Sequence, residues 1–242
     1  MPSVPKWLAD AMEKLSNGFY TPVIVSHIHY PAPALKLVRF EGNFSQLEFI
    51  AGKVVEFRVS DTDYRHYTPS FFDSDKGICE ILFYLHQQGP GSSWADSLRV
   101  GNRLKMIGPG GKMSYQPAFS RHMVFGDETS LGLMVALHQA ITAGKQDCLC
   151  LAELEQAHLS WAGHIQAPLV TVEKSHDNAA THAIGWLDQC HHTAWLNRDQ
   201  TFFYLTGQAR SIQQLNRFLT TSGVSSKQIK TYPYWAEGKK GL

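Results

Sequence analysis

The spacing of apolar positions changes once along the chain, and the change predicts two domains. From Thr21 to about Phe119, short runs of β-branched and aromatic residues are broken by Pro, Gly, Asn and Asp. Pro22 to His29, Leu35 to Glu41, Lys53 to Ser60, Arg65 to Ser70, Ile78 to His86 and Arg103 to Ile107 read as strands, and strands at this spacing predict an antiparallel barrel or sandwich. Closure into a barrel would hide the strand edges. Ahead of them, Val4, Trp7, Leu8, Ala11 and Leu15 follow helical spacing, with Ser3 placed to cap that helix and Gly18 to end it.

After Gly108-Pro109-Gly110-Gly111 the runs become strands separated by longer amphipathic stretches. Strands are expected at His122 to Phe125, Asp147 to Leu151, Leu169 to Val172, Phe202 to Thr206 and Gln228 to Tyr232. Helices are expected at Thr129 to Ala143, Asn178 to Cys190 and Ser211 to Thr221. This alternation predicts a parallel sheet covered on both faces, with ligands beyond the carboxyl ends of its strands. The expected organisation is an N-terminal helix over residues 1–18, a barrel domain over 19–119 and an α/β domain over 120–242, with the boundary near 109–121. No internal repeat or low-complexity segment interrupts it.

Composition narrows the function classes. Lys and Arg number 22 against 21 Asp and Glu, a net charge of +1, so a dedicated nucleic-acid binder is not expected. Residues are 43% hydrophobic and 18% charged, and no apolar run approaches the roughly 18 residues of a membrane span. Lys6, Asp10, Glu13 and Lys14 interrupt Met1 to Tyr20 where a signal peptide would be apolar, so a cytoplasmic location is expected. The cysteines at 79, 148, 150 and 190 are too scattered for a disulfide scaffold or a four-thiolate metal site. Cys148 and Cys150 would share one face of a strand as packed thiols. Neither His27 with His29 nor His191 with His192 sits in a recognised ligand framework, so no metal site is expected.

Four stretches could carry chemistry. In Arg65-His66-Tyr67-Thr68, an arginine, an aromatic and a hydroxyl could pair with phosphate, stack on a ring and hydrogen-bond a ring nitrogen; strand alternation would point Thr68 away from Arg65 and Tyr67 unless a twist intervenes. Gly89-Pro90-Gly91-Ser92-Ser93-Trp94 precedes an expected helix from Ala95 to Leu98 and could present free N–H groups to pyrophosphate, or Ser92 or Ser93 could simply cap that helix. Gly126-Asp127-Glu128-Thr129 lies where a strand runs into a helix, the place for a nucleotide in a parallel domain. Its acids would repel an adjacent phosphate, which suits the nicotinamide end or a plain capping box. Tyr232-Pro233-Tyr234-Trp235-Ala236-Glu237-Gly238 could close a core or lay a ring over a flat cofactor.

In this order the four stretches resemble the siderophore-interacting proteins, a flavin-dependent ferric-siderophore reductase branch of the ferredoxin reductase superfamily. The resemblance runs from about Thr21 to Gly238 on Arg65-x-Tyr67-Thr68, Leu85-His86 with Gly89-Pro90-x-Ser92-Ser93-Trp94-Ala95, Gly126-Asp127-Glu128-Thr129, and Tyr234-Trp235 with Gly238. It implies an antiparallel FAD-binding barrel followed by a parallel-sheet NAD(P)H-binding domain. It also implies that Arg65 holds phosphate, Tyr67 packs on the flavin or ribityl chain, Thr68 bonds the ring near its reactive nitrogen, and Gly91, Ser92, Ser93 and Trp94 take the pyrophosphate. His66, His86 and Tyr234 are expected in the cofactor site, Gly126, Asp127, Glu128, Thr129 and Gly207 around NADPH or NADH, and Trp235 with Thr68 closest to the chemistry.

The sequence departs from the family pattern in places. Ser130-Leu131-Gly132 replace Ala-Leu-Pro after Thr129, Val55-Glu56-Phe57 stands where Val-Lys-Leu is common, and Ala236-Glu237 replace basic residues. Lys53, Arg121, Lys239 and Lys240 are candidate replacements. The cysteines lack iron–sulfur spacing, leaving flavin as the only expected redox group. The implied function is reduction of a ferric siderophore by NAD(P)H through FAD, with reduced ferredoxin an alternative donor. The iron complex is expected in an open cleft lined by Tyr234, Trp235, Lys53, Arg121 and Lys239. Lys174 and Arg210 are each either a contact for a nucleotide 2′-phosphate or a solvated charge. A monomer is expected. A general NAD(P)H-flavin reductase and a non-catalytic flavin-binding protein are the alternatives.

Overall fold

The computed structural model describes residues 5–7, 10, 19–111, 113–189 and 200–239. Cys190, His191, His192, Lys240 and most of the expected N-terminal helix lie outside the described residues. The chain divides into two compact units, Met1–Ser114 and Tyr115–Leu242.

The first unit is built on β1 (Tyr20–Ala32), β2 (Leu35–Gly42), β3 (Val54–Arg58), β4 (Tyr64–Tyr67), β5 (Phe71–Asp73), β6 (Ile78–Tyr84) and β7 (Arg103–Gly110), with helix α1 (Gly89–Ser97) between the last two. These strands form an antiparallel sheet in the order β4-β3-β7-β1-β2-β6-β5, the architecture of a flavin-binding barrel. Alternation puts Val23, Val25, Val38, Phe40, Val55, Phe57, Cys79, Ile81, Phe83 and Met106 in one buried core. Two features differ from the expected pattern. The short strand β5 follows Pro69 and was hidden by its length. Helix α1 begins at Gly89 rather than Ala95, because Pro90 falls in its first turn, where a missing N–H costs nothing.

The second unit contains β8 (Arg121–Gly126), α2 (Leu131–Ala143), β9 (Asp147–Leu154), β10 (Leu169–Glu173), α3 (Thr181–Gln189), β11 (Thr201–Gln208), α4 (Ala209–Thr221) and β12 (Ile229–Trp235). All strand pairs are parallel, in the order β10-β9-β8-β11-β12. The order reverses at β8, so the crevice for a ligand opens beyond Gly126 at the end of β8 and Gly207 near the end of β11. Buried Met123, Phe125, Leu151, Phe203 and Leu205 pack against Ile212, Leu215 and Leu219 of α4. The Gln156–His164 segment between β9 and β10 is a run of 3-10 helix. On β9 the Sγ atoms of Cys148 and Cys150 lie 3.8 Å apart, the shared strand face that their spacing predicts. Among the described residues no helix is long and apolar enough to cross a membrane, and no three metal-ligating side chains cluster.

Candidate functional site

The barrel's candidate site starts from the register of β3 and β4, which sets Phe57 opposite Arg65, Glu56 opposite His66 and Val55 opposite Tyr67. Arg65 and Tyr67 therefore share the face of the buried Val55 and Phe57, and His66 is on the other face, its Nε2 2.8 Å from Glu56 Oε2. Tyr67 stacks on Trp94 of α1 (centroids 5.7 Å apart, planes 18°) and meets Phe83 edge-on. Its hydroxyl donates to the Gly91 carbonyl at 3.3 Å, and burial pushes its pKa up. Thr68 is buried just beyond β4, past the last paired residue, where strand alternation no longer fixes its direction.

Helix α1 offers its N-terminus to this surface. Gln88 supplies no side-chain cap, so the first-turn amides are left to other partners. Gly89 takes φ +76°, and a Cβ there would meet nothing within 4 Å. A Cβ on Gly91 would lie 2.9 Å from Tyr67 Oη and 3.3 Å from Arg65 Cγ, so only glycine lets the helix start approach these side chains this closely. Ser92 Oγ accepts the Gln87 N–H at 2.9 Å, and Ser93 Oγ donates to Gly89 O at 3.2 Å. His86 is exposed beside them; its Nδ1 accepts from the Gln88 amide at 3.3 Å, and desolvation lowers its pKa. An arginine, a half-buried ring and a glycine-lined helix start without a side-chain cap fit a phosphate-bearing flavin.

At the carboxyl edge of the parallel sheet, Asp127 and Glu128 are both buried and have opposite roles. Asp127 accepts the Thr129 amide at 2.9 Å and the Trp235 indole N–H at 2.6 Å. Desolvation raises its pKa, with Lys174 opposing. Gly207 makes room for this link: its φ is +94°, and a Cβ there would fall 2.7 Å from the Asp127 carboxyl carbon. Glu128 meets Lys174 Nζ at 2.8 Å, His158 Nδ1 at 2.9 Å and the Glu155 amide at 2.7 Å. Desolvation works against its charge, but Lys174 and these hydrogen bonds outweigh it and lower its pKa. Lys174 also pairs with Glu155 at 3.3 Å and sits 5.9 Å from the centroid of the Trp235 ring.

Lys174 is thus neither a solvated charge nor free for a 2′-phosphate; it is the counter-ion of a buried carboxylate. The sequence reading missed this because ion pairing between residues 46 positions apart leaves no local pattern. Tyr234 and Trp235 belong to β12, which runs past the strand end expected at Tyr232 and sets Trp235 beside Gln208 at the end of β11. Lys53 and Lys239 are at least partly exposed, and Lys53 Nζ donates to Glu48 O at 3.1 Å. Arg121 opens β8, at the amino edge of the sheet and opposite the crevice, 3.7 Å from Asp147. Arg210 is exposed near the start of α4.

An antiparallel barrel of this kind, joined in one chain to a parallel doubly wound sheet, defines the ferredoxin reductase class of flavoproteins. Two family profiles match, a siderophore-interacting FAD-binding domain over residues 54–113 and a siderophore-interacting protein over residues 119–238. The chain belongs to the siderophore-interacting protein family. Its fold is similar to that of a siderophore-interacting protein from Acinetobacter baumannii (TM-score 0.75, 16% identity, 91% of this chain and 92% of that one). It is likewise similar to a siderophore utilization protein from T. fusca (TM-score 0.74, 20% identity, 92% and 95%). A curated relative, NADH-cytochrome b5 reductase 1 of Mycosarcoma maydis, is 37% identical over 59 residues, 24% of this chain and 18% of that protein. The chain thus spans under a fifth of that relative's length.

Proposed function

We propose that this protein reduces ferric siderophores with electrons from NADH or NADPH through bound FAD. The observation that carries the reading is the close approach of Gly91 to Tyr67 and Arg65, which brings a helix start without a side-chain cap beside an arginine and an aromatic ring. The family profiles support the substrate class. Arg65 and the amides from Gly91 to Trp94 hold the phosphates, Tyr67 packs along the ribityl chain or ring, and Thr68 donates to the ring. Bound flavin would supply the redox chemistry that links a two-electron nicotinamide donor to one-electron reduction of ferric iron. In the α/β unit, Gly126 to Thr129 and Gly207 shape the nicotinamide pocket, and Asp127 fixes the indole of Trp235 at its edge. No side chain needs to act as acid or base, since the protein's task is placement and exclusion of water.

Purified protein should be yellow and lose its colour anaerobically on addition of at least one of the two nucleotides. Steady-state rates with a panel of ferric chelates, free flavin and oxygen then test the substrate. Faster turnover of ferric siderophores than of free flavin is expected. Equal rates across the panel would assign a general flavin reductase, bleaching only by reduced ferredoxin would replace the donor, and colourless protein that fails to retain added FAD would overturn the reading.

A further inference from the structure

Strand β2 carries a lysine where its pattern asks for an apolar residue. Lys36 has the parity of Val38 and Phe40, whose side chains lie in the barrel core, and it is fully buried. A buried ammonium is costly unless its three donors are satisfied, and here all three find one target. Lys36 Nζ donates to the carbonyls of Ala95 at 2.8 Å, Asp96 at 3.0 Å and Leu98 at 3.0 Å. These are carbonyls of the last turn of α1 and of its C-cap residue; the helix itself offers them little, Ala95 O accepting the Leu98 N–H at a long 3.4 Å. Desolvation lowers the lysine's pKa, with Arg99 adding to the fall and Asp96 opposing it. The exposed Arg99 donates to two of the same carbonyls, Asp96 at 2.7 Å and Leu98 at 2.9 Å.

We propose that Lys36 is a positioning residue for flavin phosphate recognition, acting through α1. The helix has nine residues, so its two ends are electrostatically close. A cation locked on the negative C-terminal end cancels that pole and leaves the positive N-terminal end, with Gly91 and Ser92, to act on an anion. The three hydrogen bonds also pin the helix against β2, which fixes where its first-turn amides point. A positioning role of this kind acts on phosphate and not on the isoalloxazine ring. The inference rests on the flavin reading given above.

The test compares FAD, FMN and riboflavin on the deflavinated full chain. Lys36→Gln keeps N–H donors but removes the charge, Lys36→Arg keeps the charge, and Arg99→Gln removes only the exposed cation. Lys36→Gln should weaken FAD and FMN at least tenfold and leave riboflavin within twofold. Lys36→Arg should restore most of the loss, and Arg99→Gln should lie between Lys36→Gln and the unaltered protein. Equal weakening of all three flavins, or no change in any, overturns the proposal. As a measurement independent of any variant's folding, the 15Nζ resonance of Lys36 in unaltered protein should shift on adding FAD or FMN and stay still with riboflavin. A stationary resonance with FAD bound overturns it as well. Failure of the unaltered protein to bind any flavin instead overturns the flavin reading itself.

Discussion

At the scale of single residues, Glu128 shows how burial and pairing oppose each other. Its carboxylate is 2% exposed, and its charge is stable there because Lys174, His158 and the Glu155 amide all face it. A carboxyl whose folded pKa is lowered contributes stability above its unfolded pKa and loses that contribution as pH falls through the folded value. Lys174 has a raised folded pKa, so its share is complete below the unfolded lysine value and is lost only at strongly alkaline pH. Glu128→Gln should therefore cost about 3 kcal/mol at neutral pH, as expected when one partner of a buried pair is removed. Denaturant titrations of variant and unaltered protein should converge as pH drops below about 4.3, the ordinary glutamate value. A gap that persists undiminished at the lowest pH would mean that packing, not charge, holds Glu128.

At the scale of elements, α1 joins the sequence pattern to the site. Gly91 sits inside a helix, where alanine would be favoured by about 1 kcal/mol. A Cβ there would press on Tyr67 and Arg65. Gly91→Ala should thus gain no stability in the flavin-free protein, the helical preference being offset by the clash, and should weaken FAD at least tenfold, about 1.4 kcal/mol, read by fluorescence titration. A raised melting temperature with normal FAD affinity would refute that account. The elements themselves were legible where period was clear: β2, β6, β8 and β11 keep the expected order, and the parallel domain follows from alternation alone. The start of α1 was hidden because two glycines and a proline read as a loop. Pairing through space was also hidden: the Lys36 seat, the Asp127–Trp235 link and the Glu128 cluster join residues 59 to 62, 108 and 46 or fewer positions apart. The signal that could have exposed Lys36 was its parity with Val38 and Phe40.

At the scale of the whole molecule, a net charge of +1 leaves substrate attraction to a few local groups. Glu56 is tied to His66, so the position where the family pattern favours lysine presents no net cation. Lys53 and Lys239 are proposed to attract an anionic chelate, and exposed charges are screened within about 8 Å at physiological ionic strength. The KM for an anionic ferric catecholate should rise with salt, and the double variant Lys53→Gln, Lys239→Gln should mimic high salt at unchanged flavin content; a neutral ferric hydroxamate should respond to neither. A salt-independent KM for the catecholate would remove both lysines from the docking step. The contact between Asp127 and Gly207 carries a different consequence, for descent. Any side chain at 207 would collide with the carboxyl that anchors Trp235. Positions 127, 207 and 235 can therefore drift only as a set, and a lineage that gains a side chain at 207 should also have given up the aspartate or the indole.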